Sequence, residues 1–225
     1  MGIKAVIFDF DDTLGNREKY SYITFSEVLD RVCPDLEPWK REMVLQYMMI
    51  CDQHGEVNRS YVRSCVLEKF GIDLGADLHD YWMKNQWRNS VLYDDARPVL
   101  EELGKRGYRL GILTNGPSYG QRAKVRKSGL EDLLDAVVVS GETDCAKPDP
   151  RIFEMIAEML SLPTAQCAYV GDMFRNDIYG AHLAGMVPVW FWPHGPREVS
   201  VEVQRIQSLT DLLDLFPGPA EKESV

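Results

Sequence analysis

Near the start of the chain an apolar run ends abruptly in three carboxylates: Val6-Ile7-Phe8-Asp9-Phe10-Asp11-Asp12-Thr13-Leu14. A short apolar run closed by a turn signal reads as a buried strand. Acids at its C-terminal end fall in the crevice where open α/β sheets bind ligands. Alternation along the strand sends Asp9 and Asp11 to one side and Phe10 to the other. Two carboxylates this close repel each other unless a cation lies between them or one holds a proton. Both conditions belong to chemistry rather than to packing.

Three further signals follow in chain order. Leu113-Thr114-Asn115-Gly116 closes a second apolar run with a hydroxyl, an amide and a glycine N–H, all able to hold phosphate oxygens. Alone, it reads equally as a plain Asn-Gly turn. Ala146-Lys147-Pro148-Asp149-Pro150 fixes a lysine beside two prolines, which suits rigid charge compensation; in isolation Lys147 would read as a surface residue. Tyr169-Val170-Gly171-Asp172-Met173-Phe174-Arg175-Asn176-Asp177 again ends an apolar run in an acid, with a second acid shortly after. Asp172 is placed to ligate a hard cation. Asp177 is placed to hold a metal-bound water or to orient Lys147, although alone it also reads as part of a solvated loop. Mg²⁺ favours oxygen ligands, keeps several waters and commonly takes one or two carboxylates plus substrate phosphate.

With all four signals in order, each at the carboxyl end of a strand, the chain resembles the haloacid dehalogenase superfamily. Asp9-Phe10-Asp11-Asp12-Thr13-Leu14 matches its first motif, Thr114-Asn115-Gly116 its second, Lys147-Pro148 its third and Gly171-Asp172 with Asp177 its fourth. The resemblance implies a Rossmann-like parallel α/β core carrying an inserted all-helical cap of the family's first type. It implies a Mg²⁺-dependent phosphomonoester hydrolase in which Asp9 attacks phosphorus and forms an aspartyl-phosphate. Asp11 would protonate the leaving alkoxide and then deprotonate water. Mg²⁺ would sit between the Asp9 side chain, the Asp11 backbone carbonyl, Asp172 and a phosphate oxygen. Asp12, Thr114, Asn115, Gly116 and Lys147 would bind the phosphate, with Asp177 in support. The second-motif spacing and the basic helix after it are similar to the pyrimidine 5′-nucleotidase branch, so a nucleoside 5′-monophosphate is the first substrate expected.

Other readings stay open. A metal-free haloacid dehalogenase would use the same nucleophile, and a phosphomutase would use the same fold. A non-catalytic phospholigand sensor would keep the pocket. Gly116-Pro117-Ser118-Tyr119-Gly120 fits the G-x-S-x-G of a serine-hydrolase elbow, but Thr114-Asn115 intervene after the strand and Pro117 restricts the backbone.

The elements that must position these residues alternate. Apolar runs at Ile3–Phe8, Tyr108–Leu113, Ala136–Val139, Cys167–Val170 and Val187–Trp192 read as strands, with helical patterns over Pro98–Lys105, Tyr119–Ser128, Asp149–Leu160 and Asp177–Ala184. Such alternation implies a parallel sheet with right-handed crossovers. From Asn16 to Leu92 only helix-like periodicity appears. Domain boundaries are therefore expected at 1–15 plus 93–216 for the core and 16–92 for the helical cap, with a frayed tail at 217–225. Tyr47, Met48, Met49, Trp82 and Trp87 are expected to form the insertion's own small core, and Asn16, Arg17 and Tyr20 to reach toward the leaving group.

The 225 residues carry a formal charge of −10, which disfavours nucleic acid and anionic membranes as partners. An anionic small molecule remains compatible through a locally positive site. Five scattered cysteines without a CxxC pair fit free thiols in a reducing compartment. Without a spanning segment or a signal-peptide pattern the expectation is a cytoplasmic protein, monomer or homodimer, acting on a small phosphorylated metabolite.

Overall fold

The computed structural model describes residues 2–195 and 198–218. These divide into two compact units, one built from residues 2–15 and 92–218, the other from Asn16–Val91. Pro219–Val225, most of the expected tail, lie outside the described residues.

The first unit is an open parallel sheet. Its strands are β1 (Ala5–Phe8), β2 (Arg109–Thr114), β3 (Ala136–Val139), β4 (Cys167–Gly171), β5 (Val187–Phe191) and β6 (Gln204–Ile206), in spatial order β3-β2-β1-β4-β5-β6. β1 lies in the middle, with Ile7 beside Gly111 on one side and Tyr169 on the other. All four residues of β1 are buried, as expected of a strand covered on both faces. Alternation divides them between two cores. Val6, Phe8 and Phe10 point into one with Leu100 and Val170, while Ala5 and Ile7 point into the other with Phe153, Ile156 and Tyr169. Phe10 therefore anchors the backbone just past the strand and leaves the acids on either side of it near the sheet's carboxyl edge.

Helices of this unit are α1 (Ala96–Lys105), α2 (Ser118–Ser128), α3 (Pro150–Met159), α4 (Tyr179–Leu183) and α5 (Leu212–Leu215), with a π-helical turn at Phe174–Ile178. The start of α3 is written in the sequence: Asp149 caps it by accepting from the Arg151 N–H at 3.0 Å, and Pro150 occupies the first turn. α2 ends at Gly129, whose φ of 67° is the left-handed conformation of a helix C-cap.

The second unit is wholly helical among its described residues: α6 (Arg17–Val32), α7 (Pro38–Asp52), α8 (Arg59–Phe70) and α9 (Leu78–Asn89). Its core holds Phe25, Leu29, Leu45, Met48, Val62 and Trp82, with Tyr47 and Met49 packed against it. Phe25 and Trp82 meet with ring centroids 4.5 Å apart. Asp52 is buried at the end of α7 and paired with Arg17, 2.5 Å away, and with Arg59. Both guanidiniums also face the Trp82 ring. Arg17 spends its charge inside the helical unit, and Tyr20 is buried. Leu92 belongs with the sheet unit, where it forms a β-bridge with Gly15. No helix among the described residues is long and apolar enough to cross a membrane.

Candidate active site

Lys147 is the hub. Its ammonium donates to Asp9 Oδ1 at 2.7 Å, to the Tyr169 hydroxyl at 2.9 Å and to Asp177 Oδ1 at 2.6 Å, using all three of its protons in a buried slot. Its backbone is pinned as firmly. The Lys147 N–H donates to Asn115 Oδ1 at 2.9 Å, and Asn115 Nδ2 donates back to the Lys147 carbonyl at 3.0 Å. The Asn115 amide, expected to hold phosphate, is thus engaged in tying the second motif to the third. The Gly116 N–H likewise donates to Ser140 Oγ at 3.0 Å. Both contacts tie the second motif to its neighbours, and the Asn115 amide keeps a second N–H beyond the one given to Lys147. Thr114 is buried at the end of β2.

Asp177 is delivered by the π-helical turn. Its Oδ2 accepts from the Met173 N–H at 2.9 Å, and its own N–H donates to the Met173 carbonyl at 2.7 Å. Gly171 makes this possible: a Cβ there would stand 2.5 Å from the Asp177 side chain. Asp172 is half-buried, and the Thr13 hydroxyl approaches its Oδ1 at 3.4 Å. Carboxylate oxygens of Asp9, Asp172 and Asp177 lie within 4.8 Å of one another. Asp12 completes the first loop. Its φ of 59° is a conformation that aspartate tolerates, and the loop folds back with the Leu14 and Gly15 N–H groups on the Phe10 carbonyl.

Electrostatics follow from crowding. Burial pushes the Asp9 carboxyl up to about 7; Lys147 opposes that rise, while Asp177 and Asp11 add to it. Burial, with Asp177, Asp12 and Asp9 beside it, raises Asp172 well above the usual carboxylate range. Burial alone would lower Lys147, but Asp177 and Asp9 outweigh it and hold the ammonium charged. One cation facing Asp9, Asp172 and Asp177 leaves excess negative charge, and hard oxygen donors in that state suit a divalent cation.

Asp11 stands apart from this cluster. Both its oxygens accept from Lys124 Nζ, at 2.8 and 2.7 Å, and Oδ2 also accepts from Gln121 Nε2 at 2.9 Å. The acids of the cleft are therefore offset by two lysines. The sequence reading saw only Lys147, because α2 looks like a solvated basic helix. Yet Gln121, Lys124 and Val125 are, with Gly120, its buried positions, at the i, i+3, i+4 spacing of an inward face, and that spacing was the available signal. Tyr169 was also missed as a site residue, since an aromatic in a β-rich run reads as core.

Ser118 does not behave as an elbow nucleophile. It opens α2 and donates to Glu142 Oε1 at 2.5 Å, not to a histidine. Arg122 donates to both oxygens of the same carboxylate, at 2.9 and 2.6 Å. Hydrogen bonds from Arg122 and then Ser118 lower Glu142 from 4.5 to about 2, against a smaller opposing effect of burial. Since the folded value lies below the unfolded one, this contribution is present above 4.5 and is lost as pH falls through about 2. The gap in denaturant midpoint between wild type and Glu142→Gln, open at neutral pH, is expected to close across that window; a gap that persists unchanged at the acid end would refute it.

A central parallel strand ending in Asp9, a lysine held rigidly against it and a cluster of carboxylates at the strand tips make an arrangement suited to phosphoryl transfer. The chain belongs to the haloacid dehalogenase-like hydrolase family, whose model matches residues 3–185. Within that family it is an enzyme acting on phosphoric monoesters. It is similar to the N-acylneuraminate-9-phosphatase of Homo sapiens, 34% identical with 86% of this chain and 84% of that protein covered. A phosphatase of Mycobacterium tuberculosis is 41% identical over 83% of this chain and 86% of its own length. The phosphoserine phosphatase of Thermus thermophilus is 36% identical over 59% of this chain, which spans about half (53%) of that relative. Among solved structures, a haloacid dehalogenase-type phosphatase from Thermococcus onnurineus superposes with a TM-score of 0.67 at 29% identity, covering 96% of this chain and 99% of that one.

Proposed function

We propose that the protein is a Mg²⁺-dependent phosphatase of a small soluble phosphate monoester, working through an aspartyl-phosphate on Asp9. The observation that carries the reading is the arrangement around Asp9: one carboxylate oxygen is held by Lys147, and the carboxylates of Asp172 and Asp177 lie alongside. Held by Lys147, Asp9 presents one fixed face for in-line attack, which is the positioning that phosphoryl transfer depends on. Asp9 and Asp172 would hold the ion together with the Asp11 carbonyl, and Asp177 keeps Lys147 in register. Bound there, Mg²⁺ would neutralise charge on the transferring phosphoryl group. Lys147 supplies fixed positive charge beside the same group. Asp12 and Thr114 line the phosphate end, while Asn115 and Gly116 act through the scaffold.

Asp11 gives its proton to the departing ester oxygen and, as a carboxylate, takes one from the water that cleaves the aspartyl-phosphate. Named relatives act on small phosphorylated metabolites by their names, N-acylneuraminate 9-phosphate and phosphoserine among them, which supports a substrate of that size. Nucleoside 5′-monophosphates remain the first class to test, followed by sugar phosphates, in a phosphate-release screen run with Mg²⁺ and with chelator.

The metal assignment has its own test. A ligand that binds only the folded state stabilises it by mass action, by about 3 kcal/mol at a hundredfold excess over Kd. Millimolar Mg²⁺ is therefore expected to raise the melting temperature by several degrees, and Asp172→Asn to shrink that rise. Melting that is indifferent to Mg²⁺ in the wild type would remove the metal from the proposal.

A further inference from the structure

We infer that Lys124 and Gln121 on α2 are positioning residues for Asp11, aiming its carboxyl group at the leaving-group oxygen. The inference rests on the reading of Asp9 as nucleophile and Asp11 as acid.

Lys124 is 1% exposed, yet it ends on a carboxylate that is itself half-buried on the first loop. Burying an ammonium costs free energy unless it is paired and hydrogen-bonded, and an apolar side chain of similar length would fill the same space without that cost. The position instead holds a cation whose Nζ reaches both oxygens of Asp11, at 2.8 and 2.7 Å. Gln121, one helical turn earlier, donates 2.9 Å to Asp11 Oδ2 and 2.7 Å to the Asn115 carbonyl. The same amide leaves its own Oε1 buried without a hydrogen-bond partner, a cost that packing alone does not explain.

The second motif is shaped around this contact. Gly116 has a φ of 139°, and a Cβ there would stand 2.9 Å from Gln121 Nε2. So the glycine makes room for the glutamine, the glutamine ties the Asn115 backbone to Asp11, and Lys124 grips both oxygens of the same carboxylate. Asn115 in turn fixes Lys147, which holds Asp9. Nucleophile and acid are thereby registered to one another through the end of β2 and the face of α2, not merely through the single residue between them in sequence.

In the first half-reaction an Asp9 oxygen forms a bond to phosphorus, the phosphorus–ester oxygen bond breaks, and the Asp11 carboxyl proton passes to that oxygen. The alcohol leaves neutral and Asp11 is left as a carboxylate, the form whose two oxygens Lys124 and Gln121 hold in the structure. Misplacing the acid slows this step only where the leaving group needs the proton. An alkyl phosphate needs it. The phenolate released from p-nitrophenyl phosphate departs without it.

The test compares kcat/KM, which reports phosphoryl transfer to Asp9, for the alkyl ester glycerol 3-phosphate and for p-nitrophenyl phosphate in Lys124→Met, Lys124→Arg, Gln121→Met and Asp11→Asn. Lys124→Met is expected to lower the alkyl value about 100-fold and to lower it at least about tenfold more than the aryl value. Lys124→Arg should recover part of that selectivity and Gln121→Met should lose a smaller part. Equal losses on both esters, or no loss, would overturn the inference. If Lys124→Met does not fold, Gln121→Met decides by the same ratio. Asp11→Asn separates the two levels: a leaving-group-selective loss there without one at positions 124 and 121 defeats only the positioning role, whereas an unselective loss in Asp11→Asn defeats the acid itself.

Discussion

Asp9→Asn is expected to lower kcat by at least about a thousandfold while the protein folds and still binds substrate. The amide keeps the shape of the carboxylate and can still accept from Lys147, but it cannot attack phosphorus. Because burial and neighbouring acids push the Asp9 carboxyl up to about 7, the charged form strains the folded state without a metal. The variant should therefore melt no lower than wild type in chelator and gain less from Mg²⁺. Rapid-quench labelling should find a phosphorylated aspartyl peptide containing residue 9 in the wild type. Residual turnover above about one thousandth of wild type would exclude nucleophilic catalysis at this residue.

Lys147→Met is expected to remove turnover and also to destabilise the fold by about 3–5 kcal/mol, because breaking a buried ion pair leaves uncompensated charge behind. Here two carboxylates lose their shared cation, since Asp9 and Asp177 both accept from Nζ, and the Tyr169 hydroxyl loses a donor. Lys147→Arg should not restore activity. A planar guanidinium cannot reproduce three donors converging from one point in a side-chain slot 3% exposed. Coupling is expected as well: Lys147→Met combined with Asp177→Asn should destabilise by less than the sum of the two, since the second change removes a charge that the first has stranded. Additive urea midpoints would show that the two side chains are energetically independent.

How much of this was legible in the sequence varies by element. The strand at Ala136–Val139 matches its apolar run residue for residue, and the runs preceding Asp9, Thr114 and Asp172 end where the strands end, within a residue or two. Buried parallel strands are continuous apolar segments, so their ends coincide with the acids and hydroxyls of the motifs. The all-helical character of 17–89 was legible from its periodicity. The strand at Gln204–Ile206 was not. It is three residues long, at the sheet's edge, with Gln204 exposed and Arg205 half-exposed, so its hydrogen bonding and not its composition makes it a strand. The helix expected over 177–184 begins as a π-helical turn, because Asp177 is drawn back onto the Met173 N–H.

In the site, residue types were more legible than partners. Asp9, Lys147, Asp172 and Asp177 come together as their spacing suggested, while the partners of Asp11 and Asn115 were invisible. Lys124 and Asp11 are distant in the chain, and no local pattern announces that a lysine on a basic helix points inward. Asn115 reads as a donor for substrate because it is an amide at a strand end; only the fold reveals that it also pairs with the backbone N–H and C=O of Lys147.

The middle position of the first strand also sets how the chain must assemble. Ala5 lies beside Arg109 on one side and Cys167 on the other, so this strand has both neighbours only once the chain as far as Cys167 has been made. Pairings that distant carry a large loop-closure entropy and slow the search. Until they form, an edge of continuous apolar β-sequence stays unmatched, the kind of surface through which incompletely folded chains aggregate.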